Sequence, residues 1–592
     1  MHKLPFRPPF HVTDGKIYDA ENRYVTLWGV NYYAPFNHNF YNIRELGKDH
    51  FRAIDSDLDD LALLGVDFIR MHIYEREITD PIGNLVENEN LRVFDYLLCQ
   101  CEKRGIFLML SPMAYWNTVQ NQIEQDRLYA YWNTGSQSAF GFTNFYSIDS
   151  LIWHPEAIAC QERYFKTFFE HRNAFNGKRL NEFPNIVVWE LMNEMKFPDS
   201  RLLRREPVLT EANTIEGIYS RGAMRQEFQR RFREFRRTEA ENAEEDEAFS
   251  MFRRKIVSSY LGKFWKLSCD YFKGSVIGSQ FVSYNGTPPE DLRELLENFP
   301  LYDARSVGTY LNVHGFDSSN TDDADHLAFA EIKFKQLENL RTRHPLIAYE
   351  FDASCTQNGY PLAALAALYA HRGVQMAAYF TYTPHAVAAW NPGWVVHYLN
   401  IAHTPRKAAA LAAAGKLFRA YQNRSFLREP GEWRGDTFLI RREGDRVLWN
   451  DGSAYCHVSD AAEEPLDRNA LRLVCGCGSS SMVSCSGNGF HILEKQPDGS
   501  WRFTLFPAQR YLMEPARGRA FLSMANRYVN CLRELPVSML LEKKLTVRFP
   551  GFGKVRCMDE CGIETAPEGD SFHLFPGAYR IEVEADSNCR RK

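Results

Sequence analysis

The sequence predicts an α/β barrel of eight parallel strands wrapped in helices, followed by an all-β region, and three observations carry that expectation. Apolar runs rich in Val, Ile, Leu and aromatic residues recur through the first two-thirds of the chain with helical patterns between them, the mark of strands buried on both faces. Two of these runs close on a glutamate, Asn185-Ile-Val-Val-Trp-Glu-Leu-Met-Asn193-Glu194 and His344-Pro-Leu-Ile-Ala-Tyr-Glu350-Phe. Beyond residue 425 or so the patterning changes to short alternating segments broken by turns such as Asn450-Asp-Gly-Ser and Pro497-Asp-Gly-Ser.

The eight strands are expected at residues 26–35, 67–75, 106–113, 185–194, 275–284, 307–316, 345–351 and 375–382. Between the first two, Ile54, Leu58 and Leu61 repeat at helical spacing and the helix stops at Gly65, as an α-to-β turn requires. The fourth unit carries a helical insertion over about 200–268. In it Met224, Phe228, Phe232 and Phe235 form one stripe and Phe249, Phe252, Ile256, Tyr260 and Phe264 another, joined by an acidic turn at 239–247. A helical hairpin with a solvated charged face is the reading. An alanine-rich helix at 407–421 ends the barrel domain, 1–425, which is therefore an eight-unit TIM barrel. Residues 426–592 are expected to form a sandwich-like all-β accessory region of one or two modules.

A chain of 592 residues exceeds what one compact core organises, consistent with that division. The formal net charge is only -5 and no basic face stands out, so neither nucleic acid nor an anionic membrane is an expected partner. No run of eighteen apolar residues occurs, and the N-terminus lacks the apolar core of a secretory leader. A cytoplasmic location is the expectation, although a secreted chain with its leader removed has the same start. The thirteen cysteines are odd in number, with Cys99/Cys101 and Cys475/Cys477 the close pairs, a pattern of neither a disulfide framework nor a zinc site. Buried thiols, with no metal and no cofactor, are expected. Aromatic residues make up 14% of the chain, which suits a site that stacks sugar rings.

In a parallel barrel the active site lies at the C-terminal ends of the strands, so glutamates there read as chemistry. Two carboxylates on two strands suit a retaining glycosidase, which needs one group to attack the anomeric carbon and one to protonate the leaving oxygen. Glu350 and Glu194 supply them. Alternation along the fourth strand places Glu190, Met192 and Glu194 on one side, with Glu190 deeper in the lumen and paired with an arginine.

The stretch Trp189-Glu-Leu-Met-Asn193-Glu194, preceded by His154-Pro, Gln161-Glu-Arg-Tyr-Phe and Arg172-Asn-Ala-Phe-Asn-Gly177-Lys, resembles the fourth-strand region of clan A glycoside hydrolases, in particular the family 5 β-mannanase and β-mannosidase branch. The resemblance spans about residues 12–418. It implies that Glu194 is the acid/base, that Asn193 binds the sugar 2-hydroxyl, and that Glu350 is the nucleophile. It also makes Arg70, in Phe68-Ile-Arg-Met-His72, the arginine that braces the nucleophile. His314, in Asn312-Val-His-Gly-Phe316, matches the strand-six histidine, but Phe316 stands where the family has a tyrosine. Tyr310 or another tyrosine replaces that hydroxyl, or the nucleophile is held differently.

The strand-three segment Met109-Leu-Ser-Pro-Met-Ala-Tyr-Trp116 lacks the histidine pair of cellulase-like members, while Trp116 stands where mannanases place a tryptophan. The loop after it, with Tyr129, Tyr131, Trp132, Phe140, Phe142, Phe145 and Tyr146, is expected to wall a sugar subsite. Tyr382, Trp390 and Trp394, around and after strand eight, are further candidate contacts to the sugar. The function expected is a retaining β-glycosidase on β-linked hexosides, β-mannosides first, taking oligosaccharides or acting from chain ends. A β-galactosidase or β-glucosidase of the same clan shares these catalytic residues. A catalytically silent carbohydrate-binding scaffold is the reading from another class, and the intact set Glu194, Glu350 and Arg70 argues against it.

Overall fold

The computed structural model describes residues 4–114, 141–146, 150–204, 221–279, 344–353, 358–388, 399–460, 465–486, 489–508 and 545–550, with shorter pieces between 290 and 335, at 521–522 and 528–529, and between 552 and 583. A small hairpin, β1 (His11–Thr13) and β2 (Lys16–Tyr18), opens the chain. Nine parallel segments follow: β3 (Leu27–Asn31), β4 (Phe68–His72), β5 (Phe107–Ser111), β6 (Ile186–Glu190), β7 (Val276–Ser279), β8 (Tyr302–Asp303), β9 (Thr309–Tyr310), β10 (Ile347–Asp352) and β11 (Met376–Tyr379). They form one sheet in the order β8-β7-β6-β5-β4-β3-β11-β10-β9. Both ends of that order lie in one stretch of chain, 302–310, consistent with a barrel whose sixth position that stretch supplies.

Every residue of β3, β4, β5 and β6 is buried, as parallel strands between a lumen and a helical layer must be. Leu27, Phe68, Phe107, Val188, Ile347 and Met376 pack together in the lumen, while Trp28, Ile69, Leu108 and Trp189 join the helical layer. Gly29 belongs to the lumen set, since a Cβ there would come 2.5 Å from the Phe68 ring. The N-terminal hairpin closes the bottom: Phe10 and Ile17 join the lumen cluster, and Ile17 N–H donates to Gln375 Oε1 at 2.8 Å.

The helices start and stop where their sequences say. Asp49 caps the helix His50–Leu63 by accepting from Arg52 N–H, and Asn88 caps Glu89–Arg104 by accepting from Leu91 N–H. Gly105, at φ 72°, ends the latter directly after Lys103 and Arg104. The insertion is a helical hairpin, Arg221–Glu239 and Glu245–Tyr271, and its two phenylalanine stripes meet, with Phe235 and Phe252 ring centroids 5.3 Å apart. The second helix begins at Glu245, inside the expected acidic turn, because Glu245, Asp246 and Glu247 favour the positive end of the helix dipole. It doubles as the barrel helix leading into β7.

After the helix Pro405–Ala420 comes an eleven-stranded sheet and a three-stranded one. Tyr455, Val474, Leu493 and Phe503 of the large sheet pack on Cys485, Val547 and Phe572 of the small one, which is the expected sandwich. The other face departs from that expectation: Cys456, Val458, Cys475, Cys477, Phe490 and Ile492 join the core beneath the helix Pro405–Ala420. One sheet thus serves two neighbours by alternation. Ala454–Ser459 and Leu473–Gly478 run parallel, placing Cys456 Sγ 3.1 Å from Cys475 Sγ as free thiols. On the sandwich side His457 and His491 flank Gly476 across three adjacent strands, fully buried, with ring centroids 5.2 Å apart. None of their four ring nitrogens has a hydrogen-bond partner. Among the described residues no helix is long and apolar enough to cross a membrane, and no group of three or more His, Cys, Asp or Glu could hold a metal ion.

Candidate active site

The site is assembled around Arg70, fully buried in β4. A guanidinium carries five N–H donors, and here each has an acceptor. Nε donates to Glu190 Oε2 at 3.1 Å, and Nη2 to Glu190 Oε2 at 2.9 Å and Asn193 Oδ1 at 2.8 Å. Nη1 donates to Asn31 Oδ1 at 2.9 Å and Glu350 Oε1 at 2.7 Å. One side chain thereby ties β3, β4, β6, the segment after β6 and β10 together. Burial works against its charge, but Glu190 and Glu350 outweigh that and hold it protonated above the ordinary arginine value.

His72, two residues along β4 and so on the same side as Arg70, was not singled out from sequence. Its Nε2 lies 3.0 Å from Glu350 Oε1 and 2.7 Å from Arg70 Nη1. Both Nη1 hydrogens already point at Asn31 and Glu350, so Nε2 carries the proton that His72 gives to Glu350. Burial, then the Arg70 charge, push the His72 pKa down, which keeps the ring neutral with Nε2–H as its donor. Tyr33 stacks on His72 with centroids 6.1 Å apart, and Phe380 lies 6.3 Å from the same ring.

Glu350 reaches the lumen through an irregularity. The pairing of β10 with β11 steps from Ala348↔Ala377 to Phe351↔Tyr379, so one extra residue lies in β10 between them. Ile347 and Tyr349 face the lumen and Ala348 and Phe351 face the helices, while Glu350 contacts Arg70 and His72. Such a bulge puts two consecutive side chains on one side. Tyr349, the other member, donates its hydroxyl to Glu194 Oε1 at 3.1 Å and carries the Arg70 guanidinium 4.9 Å from its ring centroid.

β6 ends at Glu190, four residues short of the expected strand. Asn193 N–H donates to Met113 O at 3.0 Å, and Glu194 follows at φ 43°, a left-handed turn that brings its carboxylate to Tyr349. Simple alternation therefore does not carry Glu194 to the mouth; the turn does. Glu194 is 5% exposed and Glu350 3%, so both face a largely desolvated space. Glu75, after β4, is a further buried acid: Oε2 accepts from Ala114 N–H at 3.0 Å, and burial raises its pKa to about 6.

The structure brings Glu194, Glu350, Asn193, Arg70 and Glu190 together. It does not bring Tyr382 there. That residue follows the end of β11, is fully buried, and donates its hydroxyl to Asp60 Oδ2 at 3.2 Å in the helix His50–Leu63, behind the barrel wall. Of the aromatic loop, Phe142 and Tyr146 are buried, Phe142 against Tyr164 at 6.1 Å and Tyr146 beside His154 at 5.5 Å, so they pad the helix Pro155–Glu170 instead of walling a subsite. His314, Trp116 and Trp390 lie outside the described residues, as do Tyr129, Tyr131, Trp132, Phe140, Phe316 and Trp394. Tyr310 belongs to β9, with its side chain outside the description.

No protein-family model matches the chain, and no curated protein matches it. Solved structures similar to it include an endo-1,4-β-mannanase from Rhizomucor miehei, at 10% identity over 69% of this chain and 99% of that one, with a TM-score of 0.41. A glycoside hydrolase family 5 mannosidase from the same organism is similar at 11% identity over 71% and 99%, with a TM-score of 0.40. An endo-β-1,4-mannanase from Thermotoga petrophila is similar at 13% identity over 81% and 94%, with a TM-score of 0.40.

Proposed function

We propose that the chain is a retaining β-glycosidase acting on β-linked hexosides, β-mannosides among them, with oligosaccharides as substrates. The observation that carries this reading is the convergence of two donors, Arg70 Nη1 and His72 Nε2, on Glu350 Oε1 at 2.7 and 3.0 Å, with a second carboxylate, Glu194, held nearby through Tyr349. A donor pair on one oxygen stabilises negative charge on the carboxylate, as a nucleophile requires. In the first step Glu350 bonds to the anomeric carbon as the glycosidic C–O bond breaks, and Glu194 passes its proton to the leaving oxygen. In the second, water bonds to that carbon as the Glu350 ester breaks, and Glu194 takes the water proton. On this reading Asn193, whose Oδ1 accepts from Arg70, binds the sugar 2-hydroxyl. The mannoside preference rests on the likeness of the 154–194 region to the family 5 branch.

The test is covalent trapping. A 2-deoxy-2-fluoro-β-mannosyl fluoride, run beside the gluco and galacto analogues, is expected to inactivate the chain and label the peptide carrying Glu350. Label on Glu190 or Asp352, or turnover of no glycoside in a 4-nitrophenyl β-glycoside panel, sinks the reading. Labelling by the gluco or galacto reagent alone corrects the sugar and keeps the mechanism.

A further inference from the structure

We propose that Tyr349 is a positioning residue for proton donation: its hydroxyl holds Oε1 of Glu194, so that the acid carries its transferable proton on Oε2. This rests on the glycosidase reading above and adds to it a residue that neither the sequence pattern nor the catalytic pair points to.

Several observations place Tyr349 in that role. The extra residue in β10 turns it into the lumen beside Glu350 instead of leaving the two on opposite faces. Its backbone is anchored, with Asn31 Nδ2 donating to Tyr349 O at 2.9 Å, and its ring lies under the Arg70 guanidinium at 4.9 Å. The hydroxyl then has a fixed aim, 3.1 Å from Glu194 Oε1. Burial, followed by the charges of Glu194 and Glu350, raises the phenol pKa well above its ordinary value, so the hydroxyl remains a donor wherever the protein works.

A carboxylic acid has one proton and two oxygens. With Oε1 accepting from Tyr349, the proton on Oε2 is the arrangement that keeps that hydrogen bond. On donation the electron pair of the O–H bond stays on Glu194, and the Tyr349 bond becomes charge-assisted and stronger. That gain appears as the proton leaves, so it lowers the barrier to protonating the leaving group. Tyr349 itself transfers nothing.

Tyr349→Phe separates this role from simple packing, because it keeps the ring and removes the hydroxyl. For a β-linked disaccharide kcat/KM is expected to fall about tenfold, the low end of what one hydrogen bond to a charged group supplies. For a 2,4-dinitrophenyl glycoside, whose leaving group needs no proton, the same ratio should stay within about twofold. The basic limb of the disaccharide profile should move up by about one pH unit, since the carboxylate loses a donor. Trapping by the fluoro reagent, which needs no acid, serves as the control for an intact site. If Tyr349→Phe does not fold, 2,3-difluorotyrosine at position 349 keeps the shape and strengthens the donor, and the basic limb should move down. Equal loss on both substrates with an unmoved limb, or an unmoved limb with difluorotyrosine, overturns the role of Tyr349 while leaving the glycosidase reading in place. A wild-type chain inert to the whole glycoside panel overturns that reading, and this role with it.

Discussion

His72 donates Nε2–H to Glu350 Oε1 across 3.0 Å, and it does so because Arg70 has no hydrogen left to offer in that direction. Glu350 is thus held by an arginine and a neutral imidazole. His72→Ala is expected to lower kcat/KM by roughly 10- to 100-fold through kcat, the scale of one hydrogen bond to a charged group. His72→Gln, which keeps an N–H, should recover part of it. Steady-state kinetics on one good substrate decide the matter, and an unchanged kcat in His72→Ala excludes the role.

Arg70→Lys replaces five donors in a planar fork by three on one atom. Lysine cannot span Glu190, Asn193, Asn31 and Glu350 together, so a buried carboxylate loses its partner. Urea unfolding is expected to show a loss of about 3–5 kcal/mol, together with near-complete loss of turnover. The double variant Arg70→Met with Glu190→Met should regain much of the stability and none of the activity. Stability within about 1 kcal/mol of wild type in Arg70→Lys contradicts this account.

The buried histidine pair of the C-terminal sheets makes an acid-side prediction. Burial pushes His491 down to about 4, and burial with the neighbouring His491 pushes His457 well below its ordinary value. An unfolded histidine titrates near 6.5, so in the window between 6.5 and about 4 the unfolded chain binds more protons. Stability is therefore full above that window and is lost as pH falls through it. Asp60 and Glu77 run the other way: burial raises both to about 7, so their contribution is full at low pH and is lost as pH rises towards 7. The opposing slopes call for a difference measurement. His491→Leu should gain on wild type as pH drops from 7 to 4, by up to about 3 kcal/mol. A pH-independent difference rejects it.

Tyr382→Phe is predicted to spare catalysis. The hydroxyl serves Asp60 behind the barrel wall, so kcat/KM should stay within about twofold while unfolding free energy drops by about 1 kcal/mol. A raised KM with unchanged stability puts Tyr382 back at the sugar.

The barrel was legible because its strands, buried on both faces, read as apolar runs, and a pairing of Glu190 with an arginine followed from its depth in the lumen; that the arginine is Arg70, assigned to Glu350 alone, did not. His72 was within reach of the same period-two argument, since it stands two residues from Arg70 in a quoted motif. Tyr349 was not: alternation sends it and Glu350 to opposite faces, and nothing in Ile-Ala-Tyr-Glu350-Phe marks a bulge. Tyr382 misled because the run 375–382 continues apolar past the end of the strand at Tyr379, where the chain turns outward. For Glu194 the expected strand ends four residues early, at Glu190, because a left-handed residue in place of continued pleat has no signature in Leu-Met-Asn193-Glu194.

The extra residue in β10 also makes that strand intolerant of a change in length. Tyr349 and Glu350 are the two residues between Ala348 and Phe351, so removing either restores even pleating and leaves one side chain on the lumen side where two stood. Such a deletion takes away either the Glu350 carboxylate or the Tyr349 hydroxyl, so in this strand length matters as much as composition.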